Sequence, residues 1–368
     1  MINILITGAD GFIAKNLKER LGQVDCKIAS YSRKSTYSFL NKSLINADII
    51  FHLAGVNKSE NSQDFTNGNI NLAKYITGFI EKNKKKPRII YSSSTQATLK
   101  NDYGVSKLKA ENIFKLYSQR TGNQVFIFRL NGIFGKWSKP DYNSVVSTFC
   151  YRIIRSKPIN IDGPSKPLKL TYIDDLMDDF IKILHTKIKK KFVFRSPSKS
   201  HSIEVKQIAT IIESFHTGRK LLLSEDIGVG LKRKLYATYL SYLPANGFIY
   251  NLPKKEDARG KFVEILKNKK NGQLSFITIN PKNNRGDHYH NTKSEKFIVV
   301  KGSVTFRFVN ITSLKEKVFV MSDNLPQVIE SIPGWNHELI NESNQEAIVV
   351  IWANEIFDVN KQDTFQMT

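Results

Sequence analysis

The amino terminus places a short apolar segment directly before a turn of small residues and a helix. Residues 2–6 are predicted to form a buried strand, because apolar side chains fill almost every position. Gly8, Gly11 and Ala14 come next at a spacing of three, and a helical pattern continues to Leu21. The first small residue permits a tight turn, the second lets the backbone approach a pyrophosphate, and the third lets the helix pack on the strand.

The same turn predicts a dinucleotide site, since the free N–H groups and the dipole of a helix N-terminus favour phosphate. An ordinary turn is the alternative, because a glycine pattern by itself is weak evidence. The predicted cofactor-binding residues of this turn are Gly8, Gly11, Phe12, Ile13 and Ala14.

The second predicted strand covers residues 27–31, and Arg33 lies just after it. An acidic residue at this strand end would bind the ribose hydroxyls of NAD, whereas a basic residue accommodates the 2′-phosphate of NADP. Arg33 therefore favours NADPH as the cofactor. A solvated loop charge is the alternative in so basic a part of the chain.

Two further apolar segments, residues 47–53 and 88–91, are predicted to be buried strands. Small residues at the carboxyl end of the first fit close contact with a cofactor. His52 lies inside this apolar segment and is predicted to be structural. The second strand runs into three serines at residues 92–94. The predicted cofactor contacts after the first strand are Leu53, Ala54 and Gly55.

Tyr103 and Lys107 open the next predicted helix, over residues 103–118, and their spacing of four puts them on one face. An adjacent ammonium favours phenolate, so we expect Lys107 to lower the pKa of Tyr103. Tyr103 would then serve as a general acid or base near neutral pH. A serine at the preceding strand end can hydrogen-bond the substrate oxygen. Chance explains many isolated pairs of this kind, but here the pair comes after both a glycine turn and a serine strand end.

Over about the first 245 residues, the chain resembles the extended short-chain dehydrogenase/reductases. The resemblance rests on TGADGFIA, HLAG, the serine strand end, YGVSK, RLNGIFG at residues 129–135 and YIDD at residues 172–175. Those enzymes act mostly on nucleotide sugars with a Ser/Thr–Tyr–Lys triad. The resemblance implies Ser94, Tyr103 and Lys107 as the triad, with Tyr103 and Lys107 also contacting the cofactor.

Ser93 is the competing choice for the triad serine. The resemblance also implies that Asn131 and Asn143 face the nucleotide sugar. Only eight residues separate Ser94 from Tyr103. This spacing is shorter than in many family members, so we expect an abbreviated loop over the site.

After Pro244 the pattern changes to short alternating strands separated by Gly, Asn and Pro turns, which indicates a small all-β barrel or jelly roll. Two histidine motifs occur in this part: GDHYH at residues 286–290, followed by Glu295 and Gly302, and PGWNH at residues 333–337. The predicted strands include residues 274–279, 297–300, 304–309 and 347–352.

Residues i and i+2 of a strand face the same side, so we expect both His288 and His290 to point inward. Glu295 on the adjoining strand and His337 from a distant one would complete three nitrogen ligands and one oxygen ligand. That set suits Zn²⁺ or another divalent transition metal. The full spacing resembles the cupin superfamily. Because some cupins bind no metal, histidines that merely line the barrel are the alternative.

Residues 257–264 resemble the DxRGxFxE opening of nucleotide-sugar epimerases of the dTDP-4-keto-rhamnose 3,5-epimerase kind. Residues 285–288 resemble the RGxH segment in which those enzymes carry their catalytic base. His288 is thus a metal ligand by one resemblance and a proton-abstracting base by the other, and both assignments stay open. Arg259 is a candidate for the diphosphate, since a guanidinium contacts phosphate bidentately.

A short-chain reductase followed by an epimerase-like cupin resembles the CapF-type bifunctional enzymes of capsular polysaccharide synthesis. The likeness extends over the whole chain, in segments such as KPDYNSVVSTFCYRI, LYATYLSYLP and NHELIN. It implies a Rossmann-like, doubly wound α/β parallel sheet over residues 1–245 and an all-β cupin barrel over residues 246–368.

The resemblance also implies two reactions. The cupin would epimerise C3 of a UDP-2-acetamido-2,6-dideoxy-4-keto-hexose. The reductase would then reduce the C4 ketone with NADPH, giving UDP-2-acetamido-2,6-dideoxy-L-talose on the pathway to UDP-N-acetyl-L-fucosamine. The alternative is a monofunctional NADP-dependent reductase whose cupin is a binding or dimerisation module.

The formal net charge of +23 first suggests nucleic acid or an anionic membrane as a partner. From Tyr250 onward there are 16 basic and 14 acidic residues, so nearly all of the excess lies before it. The basic runs at residues 82–86 and 187–191 lack interleaved aromatic residues, which favours solvated faces over a nucleic-acid site.

No apolar run approaches the ~18 residues of a transmembrane helix, so no membrane partner is expected. Neither Cys26 nor Cys150 has the spacing of a ligand pair, and the amino terminus does not have the pattern of a signal peptide. These features favour a reduced, cytoplasmic protein. Open edges of a β barrel often pair with a second copy, so we expect a homodimer through the cupin.

Overall fold

The computed structural model describes residues 1–161, 167–186, 189–360 and 362–367. The first two residues of the basic run at 187–191 therefore lie outside the described residues. The chain divides into two compact units. The first consists of Met1–Glu213 with Gly228–Leu243, and the second of Ser214–Ile227 with Pro244–Thr368.

The first unit contains nine strands and nine α-helices among the described residues, with the end of the eighth α-helix counted in the second unit. The strands are β1 (Ile2–Thr7), β2 (Cys26–Tyr31), β3 (Ile49–His52), β4 (Arg88–Ser94), β5 (Val125–Leu130), β6 (Gly132–Phe134), β7 (Leu168–Tyr172), β8 (Phe192–Arg195) and β9 (His201–Ile203). The helices are α1 (Phe12–Leu21), α2 (Tyr37–Asn46), α3 (Ser62–Phe65), α4 (Leu72–Lys82), α5 (Asp102–Thr121), α6 (Val145–Ile154), α7 (Ile173–His185), α8 (Val205–Leu221) and α9 (Gly230–Leu240).

Six of these strands form one parallel sheet in the order β2-β1-β3-β4-β5-β8. Successive side chains point to opposite faces of the sheet. In β1, Ile4 and Ile6 pack with α1 and α7, whereas Leu5 packs on the other face with α2, α4 and α5. Helices cover both faces, so the strands are apolar throughout, and the predicted doubly wound α/β sheet is confirmed.

The strand order places β1 between β2 and β3. The connection from β1 leads to β2 on one side, and the connection from β2 returns to β3 on the other side, so the strand order reverses at the carboxyl end of β1. Open α/β sheets bind ligands in the crevice at such a switch point. A small second sheet, β6-β7-β9, lies beyond β5 in the chain. The functional side chains of this unit therefore lie just beyond the carboxyl ends of β1, β3, β4 and β5.

The second unit is built from ten antiparallel strands in two sheets, apart from the end of α8. One sheet has the order β10-β11-β12-β19-β14-β17 and the other β13-β18-β15-β16. Their bounds are β10 (Lys254–Asp257), β11 (Gly260–Asn268), β12 (Gly272–Ile279), β13 (Asn283–His288), β14 (Glu295–Lys301), β15 (Ser303–Asn310), β16 (Glu316–Ser322), β17 (Ile329–Glu330), β18 (Trp335–Asn341) and β19 (Ala347–Ala353).

A single apolar core joins the two sheets of the second unit. Ile277 and Phe297 come from one sheet, and Phe306 and Leu339 from the other, and all four belong to one buried cluster. The predicted all-β character of this part is confirmed. Among the described residues of the chain, none of the helices is long and apolar enough to cross a membrane.

Candidate active sites

The first candidate site is a cavity of about 630 Å³ at the carboxyl edge of the parallel sheet. It is bordered by the turn after β1, the ends of β3, β4 and β5, and the starts of α5 and α6. The predicted site residues that line it are Gly8, Gly11, Phe12, Ile13, Ala14, Leu53, Gly55, Ser94, Tyr103, Lys107, Asn131 and Asn143, together with the competing Ser93.

Gly8 allows the turn after β1 to lie directly against the end of β3. Its φ is +70°, a conformation that residues with a Cβ rarely adopt. A Cβ at this position would also lie only 2.7 Å from the Ala54 Cα and backbone N. Glycine is therefore required at position 8 both by the φ of the turn and by the close approach of the Ala54 backbone. The backbone N–H of Ala54 donates to Thr7 Oγ1 at 3.3 Å, which holds the segment after β3 against the end of β1. Ala54 is not among the residues that line the cavity.

Arg33 is exposed in the turn after β2 and is not among the residues that line the cavity. Its selection of NADPH over NADH stays a prediction. His52, in contrast, is fully buried, with its Nδ1 2.8 Å from Thr7 Oγ1 and its ring stacked on Tyr91. Burial, together with the nearby Lys107 charge, lowers the pKa of His52 to about 3.

Tyr103 is half-buried at the start of α5, with its hydroxyl 3.5 Å from Asn57 Oδ1. Burial raises the pKa of Tyr103, and a side-chain hydrogen bond with Ser94 partly opposes that rise. Ser94 and Tyr103 thus meet in the cavity, as the triad requires. Of the eight residues between them, Thr95–Thr98 form one short turn, and α5 already begins at Asp102.

The expectation that Lys107 lowers the pKa of Tyr103 is wrong in this structure. Lys107 is buried, and its Nζ donates to the Ser92 carbonyl at 2.9 Å while lying 5.9 Å from the centre of the Tyr103 ring. Burial lowers the pKa of Lys107 to about 8, although the Glu111 carboxylate opposes this shift. The desolvation of Tyr103 therefore outweighs any help from the ammonium.

Ser93 and Ser94 have different partners because they alternate along β4. The Ser93 hydroxyl donates to Glu111 Oε1 at 2.5 Å. Glu111 also accepts two bonds from Arg129, at 3.0 and 2.7 Å, and is almost completely buried. Ser93 is thus engaged in a structural network, which leaves Ser94 as the serine beside Tyr103.

Sequence reasoning missed the pair of Glu111 and Arg129. The signal that could have found it is local: Glu111 lies four residues after Lys107 and so on the same buried face of α5. A buried carboxylate at that position requires a partner. Reasoning from motifs also missed several polar or aromatic residues that line the cavity: Lys15, Asn57, Gln96, Trp137 and Tyr142.

The second candidate site is a cavity of about 390 Å³ between the two sheets of the second unit. His288, Glu295 and His337 line it, and His290 is buried beside them. Their four candidate ligand atoms all lie within 4.8 Å of one another. The structure therefore brings together the four residues predicted as metal ligands.

The spacing and chemistry of this cluster fit a divalent ion. Glu295 Oε2 lies 3.2 Å from His290 Nε2 and 3.4 Å from His337 Nε2. Tetrahedral bonds of about 2.0–2.1 Å to one zinc ion place ligands about 3.3 Å apart. One carboxylate oxygen and three imidazole nitrogens are a donor set that divalent transition metals accept.

Electrostatics keep His288 and Glu295 in the forms that bind metal. Burial, together with the neighbouring His337 and His290, lowers the pKa of His288 to about 4, so its imidazole is neutral near pH 7. Burial raises the pKa of Glu295, but hydrogen bonds from His290, His337 and Lys293 outweigh it and hold that pKa far below its usual range. Lys293 Nζ lies 2.7 Å from Glu295 Oε1, which leaves Oε2 facing the histidines.

The two histidines of the HxH motif converge for a different reason from the one expected. β13 ends at His288, so His290 lies in the following loop, and the alternation of a regular strand does not apply. The register of β13 against β18 shifts between Gly286 and His288, and Asp287 has φ +63°. This bulge redirects the chain, as bulges next to functional sites commonly do.

Arg259 lines the second cavity, as expected of a diphosphate contact, and its guanidinium pairs with Asp257 at 2.7 Å. Asp257 also holds Arg285 at 3.2 Å, and Arg285 lines the same cavity. Sequence reasoning placed Arg285 only within a motif and missed Lys293 altogether. Each of these two cations is paired with a carboxylate, Arg285 with Asp257 and Lys293 with Glu295.

Comparison with known proteins covers both units. Residues 4–194 match the NAD dependent epimerase/dehydratase family, and residues 255–365 match the polysaccharide biosynthesis C-terminal domain. A Pseudomonas aeruginosa protein named UDP-2-acetamido-2,6-beta-L-arabino-hexul-4-ose reductase is 39% identical over 365 residues, 99% of this chain and 98% of its own. The chain belongs to the NAD dependent epimerase/dehydratase family, among its CapF-type members.

Solved structures agree with this placement and with the predicted resemblance. The capsular polysaccharide assembling protein CapF from Staphylococcus aureus matches with a TM-score of 0.92 and 35% identity, covering 100% of both chains. A UDP-glucuronic acid 4-epimerase from Bacillus cereus matches 66% of this chain with a TM-score of 0.55 and 18% identity, which shows a shared fold alone. Family membership supports a nicotinamide cofactor for this chain.

Proposed function

We propose that the chain is a bifunctional nucleotide-sugar enzyme. Its second unit epimerises C3 of a UDP-2-acetamido-2,6-dideoxy-4-keto-hexose, and its first unit reduces the C4 ketone with NADPH. The product is UDP-2-acetamido-2,6-dideoxy-L-talose, on the pathway to UDP-N-acetyl-L-fucosamine. The observation that carries the proposal is the presence of two equipped cavities in one chain, one with the Ser94–Tyr103–Lys107 set and one with the histidine–glutamate cluster.

In the first unit, NADPH would supply the hydride for C4. Tyr103 donates a proton to the ketone oxygen, and Ser94 holds that oxygen by a hydrogen bond. The raised pKa of Tyr103 suits this role, because the phenol stays protonated at neutral pH and acts as the acid of a reduction. Asn131 and Asn143, on the same cavity, are the contacts proposed for the sugar nucleotide.

In the second unit, which we propose is a cupin barrel, a Zn²⁺ or similar ion would stabilise the enolate formed when C3 loses its proton. His290, Glu295 and His337 would hold the ion. His288 either completes that set or removes the proton, and its neutral state suits both assignments. Arg259 binds the diphosphate. Epimerisation comes first, since only the ketone makes the neighbouring proton acidic.

The decisive experiment incubates the UDP-4-keto sugar with NADPH and determines the product stereochemistry by NMR. Tyr103→Phe is expected to abolish NADPH oxidation while deuterium exchange at C3 continues. If exchange also stops, the division of labour between the units is wrong. His288→Ala separates its two assignments: retained metal with lost exchange indicates the base, and lost metal indicates the ligand.

The double variant His288→Ala with His337→Ala tests the monofunctional alternative. The bifunctional proposal predicts that this variant loses C3 exchange and product formation but still binds NADPH. Full product formation by the variant would instead support a reductase whose second unit only binds or dimerises.

We also propose that the protein is a homodimer formed through the second unit. β16 is an edge strand, and its Val318, Phe319 and Val320 are 53%, 47% and 69% exposed. An unpaired apolar edge is a template for pairing with a second copy. Sedimentation should show a dimer for the wild type and a monomer for Val318→Lys with Val320→Lys. A monomeric wild type would refute the proposal.

A further inference from the structure

The C-terminal segment, residues 362–367, pairs with the loop that carries His290. Tyr289 donates its backbone N–H to the Phe365 carbonyl at 2.9 Å, and Phe365 returns the bond at 3.1 Å. The two rings also lie beside each other, with 5.5 Å between their centres and an angle of 32° between their planes. The start of the loop between β13 and β14 is therefore held by the far end of the chain.

The Asp363 carboxylate holds the rest of this loop. It accepts the backbone N–H groups of Asn291, Thr292 and Lys293 at 3.0, 2.6 and 2.8 Å. The Thr292 hydroxyl adds a fourth bond at 2.8 Å. Burial raises the pKa of Asp363, but these hydrogen bonds to its charged form hold that pKa well below its usual range.

The backbone carbonyl of Asp363 orients the His290 ring. It accepts from His290 Nδ1 at 2.5 Å. Because a carbonyl can only accept, Nδ1 must carry the proton, and a neutral ring then points its Nε2 lone pair at Glu295 Oε2, 3.2 Å away. A proton on Nε2 or a metal ion between the two atoms satisfies both, so Nε2 and Oε2 are placed to share one cation. The segment thus selects the ring tautomer that binds metal.

We propose that the C-terminal segment positions the metal site of the second unit, with Asp363 as its positioning residue. Asp363 acts through the loop and through His290 and does not itself reach the reacting atoms. Metal binding in the second unit then depends on the chain's last residues, whereas cofactor binding in the first unit does not. The inference rests on the metal role given under the proposed function.

The test compares Asp363→Ala with Asp363→Asn and with Asp323→Ala in the full chain. Asp323 is the matched control, because its carboxylate accepts the Gly302 N–H at 3.0 Å in the same unit without touching the histidine loop. The affinity for Zn²⁺ is measured by chelator competition, the ligand field by the visible spectrum of the Co²⁺-substituted protein, and folding by thermal unfolding of the metal-free protein.

Asp363→Ala is expected to bind Zn²⁺ about 10- to 100-fold more weakly than the wild type and to alter the Co²⁺ spectrum. Asp363→Asn keeps an acceptor and is expected to recover most of the affinity. Asp323→Ala should bind Zn²⁺ as the wild type does. Wild-type affinity in Asp363→Ala, or an equal loss in Asp323→Ala, overturns the positioning role alone. A wild type that binds no metal overturns the proposed metal site and this inference with it.

Discussion

Replacement of Glu111 by Gln should destabilise the first unit far more than the same change at Glu81. Both carboxylates hold an arginine through two bonds of nearly equal length: 3.0 and 2.7 Å from Arg129 to Glu111, and 3.0 and 2.8 Å from Arg120 to Glu81. The pairs differ in burial, since the Glu111 side chain is 2% exposed and that of Glu81 is 36% exposed. The comparison therefore tests mainly the effect of burial, because the two arginine pairs share one geometry and the bond from Ser93 is the added contact at Glu111.

Removal of one partner of a buried ion pair costs about 3–5 kcal/mol, because the other charge stays buried without its counter-ion. Arg129 is 30% exposed and can recover part of its hydration, so we expect a loss of about 2–3 kcal/mol in the free energy of unfolding. Glu81→Gln should change the free energy by much less, because an exposed pair contributes little. Ser93 also loses its charged acceptor in Glu111→Gln, which displaces the end of β4 next to Ser94.

The assay is urea unfolding followed by helical circular dichroism, which reports on the first unit because nearly all described helices lie there. A companion variant replaces both Glu111 and Arg129 by Met. It should be more stable than Glu111→Gln, because it leaves no buried arginine without its counter-ion. Equal losses for Glu111→Gln and Glu81→Gln, or a loss below about 1 kcal/mol at Glu111, would refute the reasoning.

Three further outcomes are expected. Gly8→Ala should abolish NADPH binding and lower the melting temperature, because the new Cβ would lie 2.7 Å from the Ala54 backbone. Gly122→Ala is the control, since Gly122 has the same φ of +70° but no atom within 4 Å of the added Cβ. This control should lower the free energy of unfolding by only about 1 kcal/mol and leave NADPH binding unchanged. The kcat/KM for reduction should fall as pH rises above about 8, because Lys107 then loses the charge with which it is predicted to contact the cofactor. The stability of the free protein should rise between pH 8 and the ordinary Lys pKa of 10.5, because the unfolded chain then binds more protons than the folded one. A flat profile across this range would contradict the role of Lys107. Removal of metal by a chelator should stop C3 exchange and lower the melting temperature while NADPH still binds, and unchanged exchange would exclude a metal role.

Local patterns sufficed for both folds. The apolar run of β1 alone predicts that Ile4, Leu5 and Ile6 alternate between two apolar cores. The GxxGxxA spacing predicts a tight turn and a helix directly after that strand. The change to short alternating segments after Pro244 likewise predicted an all-β unit. Candidate ligands could be chosen from sequence because His288, His290 and Glu295 lie close together in the chain and belong to a spaced motif.

The sequence by itself thus determined the two fold classes, the family and the candidate residues, because strand and helix periodicity and glycine turns act between near neighbours. Tertiary structure decided which serine meets Tyr103, since Ser93 is engaged by Glu111 from α5. It also decided the pKa of Tyr103, because burial depends on the whole fold and outweighs Lys107. The orientation of His290 depends on Asp363, 73 residues later in the chain, and no local pattern encodes a hydrogen bond between such distant segments.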